Sequence, residues 1–324
     1  MAGGSAPVSA LRDASAPHGR PVDLSPGDNA LFALFDRVSN KGRWGDDDEL
    51  GTLNYITPAK RVAAAHLVKK GEVLSLARPI SAVADDGNPN PPEHFMLAVP
   101  RTMASPSARD YFGGRPHGLS FTHLDAVAHT NLLGRLYNDR EADWAYAEDG
   151  LRWGSTYAAR HGIFTRGVLL DVARSRGLPY LEQTDSVTIA QLEAAEKAQG
   201  VRIQSGDVLL LRVGYLAWQK ASGRKGSAER AGIVPEVIEW IHRREVAVFG
   251  GDCIEKLPWP SQIFDLPLHR IALPSMGLSL LDFPDVEPLA TVCAKSGRWD
   301  FLFTAAPIAR PGLTGSFINP TAVF

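Results

Sequence analysis

Four stretches of this chain are apolar almost without a break: 167–173 (GVLLDVA), 206–213 (GDVLLLRV), 246–252 (VAVFGGD) and 301–307 (FLFTAAP). Short runs of this kind, bounded by turn and polar residues, predict strands covered on both faces. Helical patterns lie between them. Thr188 with Gln191 three residues later is a capping box, and Gly200 closes the helix it opens. Further helices are predicted over 235–244 and over 286–296, the second stopped by Gly297. Strand and helix thus alternate after residue 160, which makes the class α/β. Upstream the pattern is weaker. Residues 29–36 (NALFALFD) fit a short amphipathic helix, Thr57-Pro58 opens a helix expected to reach Lys70 and stop at Gly71, and 72–77 (EVLSLA) alternates as a strand. Residues 85–92 (DDGNPNPP) are loop throughout, and 101–116 read as a mobile polar loop placed to act as a lid.

Composition narrows the partners more than the fold. With 44% hydrophobic and 22% charged residues over 324 positions, one large domain is expected, and no internal repeat or linker divides it. A net charge of −2 without a basic stripe argues against nucleic acid. No apolar run is long enough to span a membrane, and residues 1–25, rich in Ala, Gly, Ser and Pro, lack the apolar segment of a signal peptide. The expectation is a flexible tail over 1–25, a single domain over 26–324 and a cytoplasmic location. Two cysteines, Cys253 and Cys293, give no disulfide framework and fit a reducing compartment.

The densest chemistry falls between 117 and 129. His117, His123, Asp125 and His129 lie within thirteen residues, in Thr122-His123-Leu124-Asp125-Ala126-Val127-Ala128-His129 and the His117-Gly118 pair before it. In an extended segment His123, Asp125 and His129 share parity and leave one face together. Imidazole nitrogens with a carboxylate oxygen are the donor set of a divalent ion such as Zn²⁺ or Mn²⁺, and the small or apolar neighbours would keep the site dry. The competing reading is a buried histidine satisfied by Asp125 without metal; the additional histidines favour the metal. Asp252, at the end of an apolar strand, is a site residue or a turn aspartate, and Asp171 is a candidate acceptor for the second nitrogen of a ligand histidine. His94, after the Pro-rich loop, is a wall of the substrate pocket or part of a packed aromatic turn, and Phe121 could form another wall.

The segment T-H-x-D-A-x-A-H resembles the signature of the metal-dependent cyclase family, whose fuller form is H-x-G-T-H-x-D-x-P-x-H and which includes kynurenine formamidase, isatin hydrolase and trans-dienelactone hydrolase. Residues 44–54 (WGDDDELGTLN) and 315–320 (GSFINP) are similar to its longer members, so the likeness extends from about residue 40 to 324. The resemblance implies a swivelling β/β/α fold with the site at a sheet edge, a homo-oligomer built on a dimer, and a small-molecule substrate. It also implies a late metal histidine, here His269, and a carboxylate after a glycine and an apolar stretch, here Asp282 where the family more commonly has Glu. It places the acidic run 46–49, Asp252 and the closing loop 312–320 around the pocket. One position departs: the family's first metal histidine falls at Leu119, so either His117, six residues before His123, takes its place at the metal, or that ligand is missing and the metal count is reduced. The expected activity is hydrolysis of a small amide or lactone by metal-activated water. His117, His123, Asp125, His269 and Asp282 would be ligands, His129 the general acid and base, and Phe121, His94 and Asp252 substrate contacts. The same ligands would serve a cyclase, dehydratase or isomerase that stabilises an enolate, or a non-catalytic metal-binding member.

Overall fold

The four apolar runs become adjoining strands of one sheet in the computed structural model, which describes residues 26–99 and 107–324. The tail expected over 1–25 and the part of the expected lid at 101–106 lie outside the described residues. In chain order the strands are β1 (Val73–Ser75), β2 (Glu93–Ala98), β3 (Arg109–Gly113), β4 (His123–Asp125), β5 (Tyr146–Ala147), β6 (Gly150–Leu151), β7 (Ile163–Asp171), β8 (Ser186–Val187), β9 (Val208–Arg212), β10 (Gly232–Ile233), β11 (Val248–Gly251), β12 (Ser279–Asp282), β13 (Asp300–Ala305), β14 (Gly315–Phe317) and β15 (Thr321–Val323). Nine of them form the main sheet, in the order β1-β15-β13-β7-β9-β11-β12-β4-β14. The central strands β7, β9, β11 and β12 run parallel, and the outer neighbours pair antiparallel. The α/β class is as expected, with a mixed sheet packed between helices.

Strand parity sorts the buried side chains. From β7, Val168 and Leu170 enter one core and Leu169 the other; from β9, Leu209 and Leu211 oppose Val208 and Leu210. The first core is closed by the helices Pro26–Arg37, Ile189–Gln199 and Glu236–Arg243, the second by Glu287–Ser296. Each fully buried leucine contributes roughly 1.5–3 kcal/mol relative to an exposed one, so a sheet apolar on both faces carries the fold.

Two upstream elements differ from expectation. The helix capped by the Thr57 hydroxyl covers Pro58–Ala65 and does not reach Lys70, because the N–H groups of Lys70 and Gly71 donate to the Phe324 carbonyl instead. The loop expected over 101–116 contains β3, which pairs with β2 as a projecting arm; its short alternation R-D-Y-F is hidden behind small polar residues. No described helix is long and apolar enough to cross a membrane.

Candidate metal centre

β4 is three residues long, yet it fixes two candidate ligands. It lies between β12 and β14, with His123 opposite Asp282 and Phe317, and Asp125 opposite Gly315. His123 and Asp125 share a face, while Leu124 enters the core with Leu281. The strand ends at Asp125. A turn follows in which His129 N–H donates to the Ala126 carbonyl, so the parity argument for His129 does not extend that far. The turn still returns the ring to the cluster, stacked on His117 at 3.7 Å between centroids and 6° between planes. A small core of Ala126, Val127, Ala128, Tyr137 and Trp153 seats it.

The other candidates arrive from distant segments. Asp282 ends β12. His269 sits on the short helix Pro267–Ile271, whose position is tied to the motif by Thr130 Oγ1 donating to the His269 carbonyl at 2.9 Å. His117 precedes β4, and β14 passes so close that a Cβ on Gly315 would lie 2.5 Å from His117 Cε1. Leu119 packs against the apolar core, and His117 is the residue that stands beside Asp125.

Asp125 Oδ1 lies 3.0 Å from His117 Nδ1 and 3.6 Å from His123 Nε2, while Oδ2 lies 3.4 Å from His269 Nε2. Asp282 Oδ2 is 3.4 Å from His269 Nε2 and 3.7 Å from His123 Nε2. Donor atoms fall into two groups, each within 4.8 Å: His117, His123 and Asp125, then Asp125, His269 and Asp282. Asp125 belongs to both. It is 1% exposed and neither oxygen is aligned with a hydrogen-bond donor; Asp282 Oδ1 and His117 Nδ1 also lack partners. Buried polar atoms are nearly always satisfied. Four such atoms in one cluster are what a cation site presents, not what a self-contained histidine–aspartate pair presents.

The opposite nitrogens of the rings are engaged. His123 Nδ1 is 3.0 Å from the Phe121 carbonyl, which can only accept, so Nδ1 holds the proton and Nε2 offers its lone pair. His269 Nδ1 donates to Glu255 Oε1 at 2.6 Å, and His117 Nε2 is 3.0 Å from Thr314 Oγ1. Such partners orient ligand histidines and raise their basicity. Glu255 is buried, and its other oxygen accepts the Leu268 N–H at 2.9 Å. Glu255→Ala is expected to weaken metal affinity by about 10–100-fold, with Glu255→Gln less affected because it keeps an acceptor. Competition with a chelator measures this, and equal affinities for all three proteins would contradict the assignment.

Charge points the same way. Burial alone would raise the Asp125 pKa, but His129, His117, His269 and His123 outweigh it and hold the carboxyl well below its usual range. Burial opposes charge on His269, yet Glu255, Asp125 and Asp282 push its pKa well above that of free imidazole. The carboxylates thus attract positive charge, which a protonated His269 supplies without metal and which a divalent ion, suited to imidazole nitrogen and carboxylate oxygen, could supply in its place. Burial lowers His129 to about 4, so that ring is neutral at pH 7. The cysteines are poor nucleophiles: both are buried, with thiols pushed up to about 12.

Several expected site residues serve elsewhere. Asp252 is fully buried and accepts the N–H groups of Val213, Gly214 and Tyr215 at 2.7–2.8 Å, so it anchors the start of the helix Tyr215–Ser222 and does not face substrate. Asp171 accepts Arg174 N–H at 2.9 Å and pairs with Arg212 at 2.8 Å, which leaves it outside the ligand shell. The carboxylate that supports a ligand ring is Glu255. His94 stands on the arm, paired with Asp110 at 3.0 Å, both half exposed. Phe121 is buried with its ring against Phe317. Of the acidic run, Asp48 accepts Gly51 N–H and Tyr137 Oη–H, and Glu49 accepts Gly154 N–H; neither joins the ligand groups.

The sequence model of the cyclase family matches residues 97–255. A crystal structure described as a novel cyclase superposes with a TM-score of 0.80 and 32% identity, over 88% of this chain and 99% of that one. Isatin hydrolase A from Ralstonia solanacearum is similar at a TM-score of 0.58 and 18% identity, over 83% and 98%. An isatin hydrolase bound to the product analogue thioisatinate gives 0.55 and 17%, over 82% and 94%. A search of curated proteins returns no match.

Proposed function

The chain belongs to the cyclase family, and from that footing we propose that it is a metal-dependent hydrolase of small amides or lactones, with Asp125 shared between two divalent ions. One observation carries this reading: a buried carboxylate whose two oxygens, neither with an aligned hydrogen-bond donor, each lie against different histidines. His117, His123 and Asp125 would hold one ion and Asp125, His269 and Asp282 the other; Zn²⁺ and Mn²⁺ both suit these donors. When bound, the ions supply Lewis-acid activation of a water and of the scissile carbonyl. The protein does the remainder. Phe121 and Glu255 keep protons on Nδ1 of His123 and His269, so both rings are held in the orientation the ligands need. His129, neutral and stacked on His117, takes the proton of the attacking water and returns it to the leaving nitrogen or oxygen. The description of two structural neighbours as isatin hydrolases favours hydrolysis. Metal-loaded protein incubated with lactones and N-acyl amides should release products heavier by one water. Turnover confined to enolisable ketones, without water uptake, would overturn hydrolysis in favour of enolate chemistry.

A second copy of the chain is part of the proposal. The β2–β3 arm exposes Phe95, Met96, Leu97 and Tyr111, and a two-stranded ribbon with such side chains is marginal when uncovered. Its foot borders the site, since the Phe112 ring lies 5.6 Å from that of Phe317, the residue paired with His123 across β14 and β4. Light scattering should report a dimer or larger, and Phe95→Asp with Leu97→Asp should give monomer. A monomeric wild type would contradict this.

A further inference from the structure

A cavity of about 500 Å³ shares a wall with the metal centre but is lined by none of its candidate ligands. Leu119 and Phe121, between His117 and His123, form that wall; Leu216 faces the cavity from the helix Tyr215–Ser222, and Lys220 and Arg224 flank it. Arg78 lines it too, and its situation is unusual. It is 9% exposed. Its Nη1 reaches the Leu119 carbonyl at 3.3 Å, whereas Nε and Nη2 are buried without an acceptor, and no carboxylate pairs with it among the described residues. Burying a guanidinium in this state is costly. The Phe283 and Tyr215 rings, 5.1 and 5.9 Å away, offset only part of that cost.

The alternative is a structural clamp. The backbone already supplies one: Arg78 N–H donates to Thr122 Oγ1 and Thr122 Oγ1–H donates to the Phe283 carbonyl, both at 2.9 Å. A methionine would pack against the same rings, and although Asp252 and Asp285 offset part of the burial that lowers the Arg78 pKa, neither forms an ion pair with it, so its Nε and Nη2 are left without an acceptor. The flanking charges add to the imbalance. Lys225 is paired with Asp85 at 2.6 Å, but Lys220 and Arg224 have no carboxylate partner among the described residues, and Asp285 is the one other acid lining the cavity.

We propose that this cavity is a second binding site of the protein, for an organic carboxylate. Arg78 supplies the positive charge at the wall of the cavity that faces the carboxylate, Lys220 and Arg224 draw the anion in, and Leu119, Phe121 and Leu216 border its apolar body. The site is independent of the chemistry at the metal centre.

Benzoate titrated into the full chain tests it, followed by tryptophan emission, since Arg224 lies over the Trp218 ring at 5.5 Å, and by thermal shift. Wild type and Asp125→Ala should bind saturably with the same affinity, because the metal ligands are not involved. Arg78→Met should weaken binding by roughly 10–100-fold. Lys220→Ala with Arg224→Ala, both at exposed positions, should weaken it about threefold and reduce its salt dependence, which decides the matter if Arg78→Met does not fold. Binding that survives Arg78→Met, or that vanishes in Asp125→Ala, would overturn the proposal, as would the absence of saturable binding to wild type. Inorganic phosphate binding as tightly as benzoate would overturn the organic carboxylate as its ligand.

Discussion

Asp125→Ala is expected to lower kcat/KM by at least ~10⁴-fold, about 5–6 kcal/mol of transition-state stabilisation, and to leave the protein folded. The size of the effect follows from the position of the residue. Every other candidate ligand belongs to one donor group, whereas Asp125 belongs to both, with Oδ1 toward His117 and His123 and Oδ2 toward His269. Asp125→Asn separates charge from volume: it keeps the packing beside Leu124 and should be nearly as inactive. A thermal melt gives a second readout. Metal at a thousandfold excess over its dissociation constant stabilises a protein by about 4 kcal/mol, and this increment should appear in the wild type and be missing from both variants. Wild-type activity in Asp125→Ala would remove the metal centre from the mechanism.

His129→Ala is expected to lower kcat by about 10²–10⁴-fold while metal content stays at the wild-type level. His129 lies outside both donor groups yet stacks on His117, a placement suited to proton transfer and not to ligation. The pH profile adds a signature with a definite sign. Because burial depresses its pKa to about 4, the ring stays an unprotonated base through the neutral range and loses that form only as pH falls toward 4. This group therefore contributes an acidic limb at or below that value, since bound cations disfavour the protonated ring further; the limb should be absent from the variant, and added imidazole should restore part of the His129→Ala rate. A variant with unchanged kcat, or one that loses its metal, would make His129 a structural or ligating residue.

What could be read along the chain depended on whether a residue acts through its neighbours or through distant segments. The four apolar runs mark central strands because burial on both faces leaves no alternative pattern, and they become the contiguous strands β13, β7, β9 and β11. The candidate ligands His117, His123 and Asp125 were legible as a dense local motif. His269 and Asp282 came only through the family resemblance, since nothing local marks a residue that β12 brings opposite His123. The carboxylate that supports a ligand ring is not legible in the sequence, and the reason is physical. Asp252 and Asp171 stand at strand ends, as a site residue would, but such ends also place backbone N–H groups and arginines within reach, and these take both carboxylates. Glu255 lies three residues beyond Asp252 in a stretch with no pattern. It can approach His269 because a Cβ on Gly232 would fall 2.3 Å from the Glu255 backbone, so only glycine lets that segment pass. Thr314 and Gly315 depend likewise on β14 pairing with β4, a contact across most of the chain.

The most direct test of the account is metal stoichiometry. Wild-type protein reconstituted with Zn²⁺ or Mn²⁺, freed of unbound ion and analysed by mass spectrometry, should carry two equivalents per chain, one for each donor group around Asp125. Asp282→Ala should retain one and Asp125→Ala none. A single equivalent in the wild type would contradict the sharing of Asp125 between ions, and a folded wild type with no stoichiometric metal would contradict the metal centre itself.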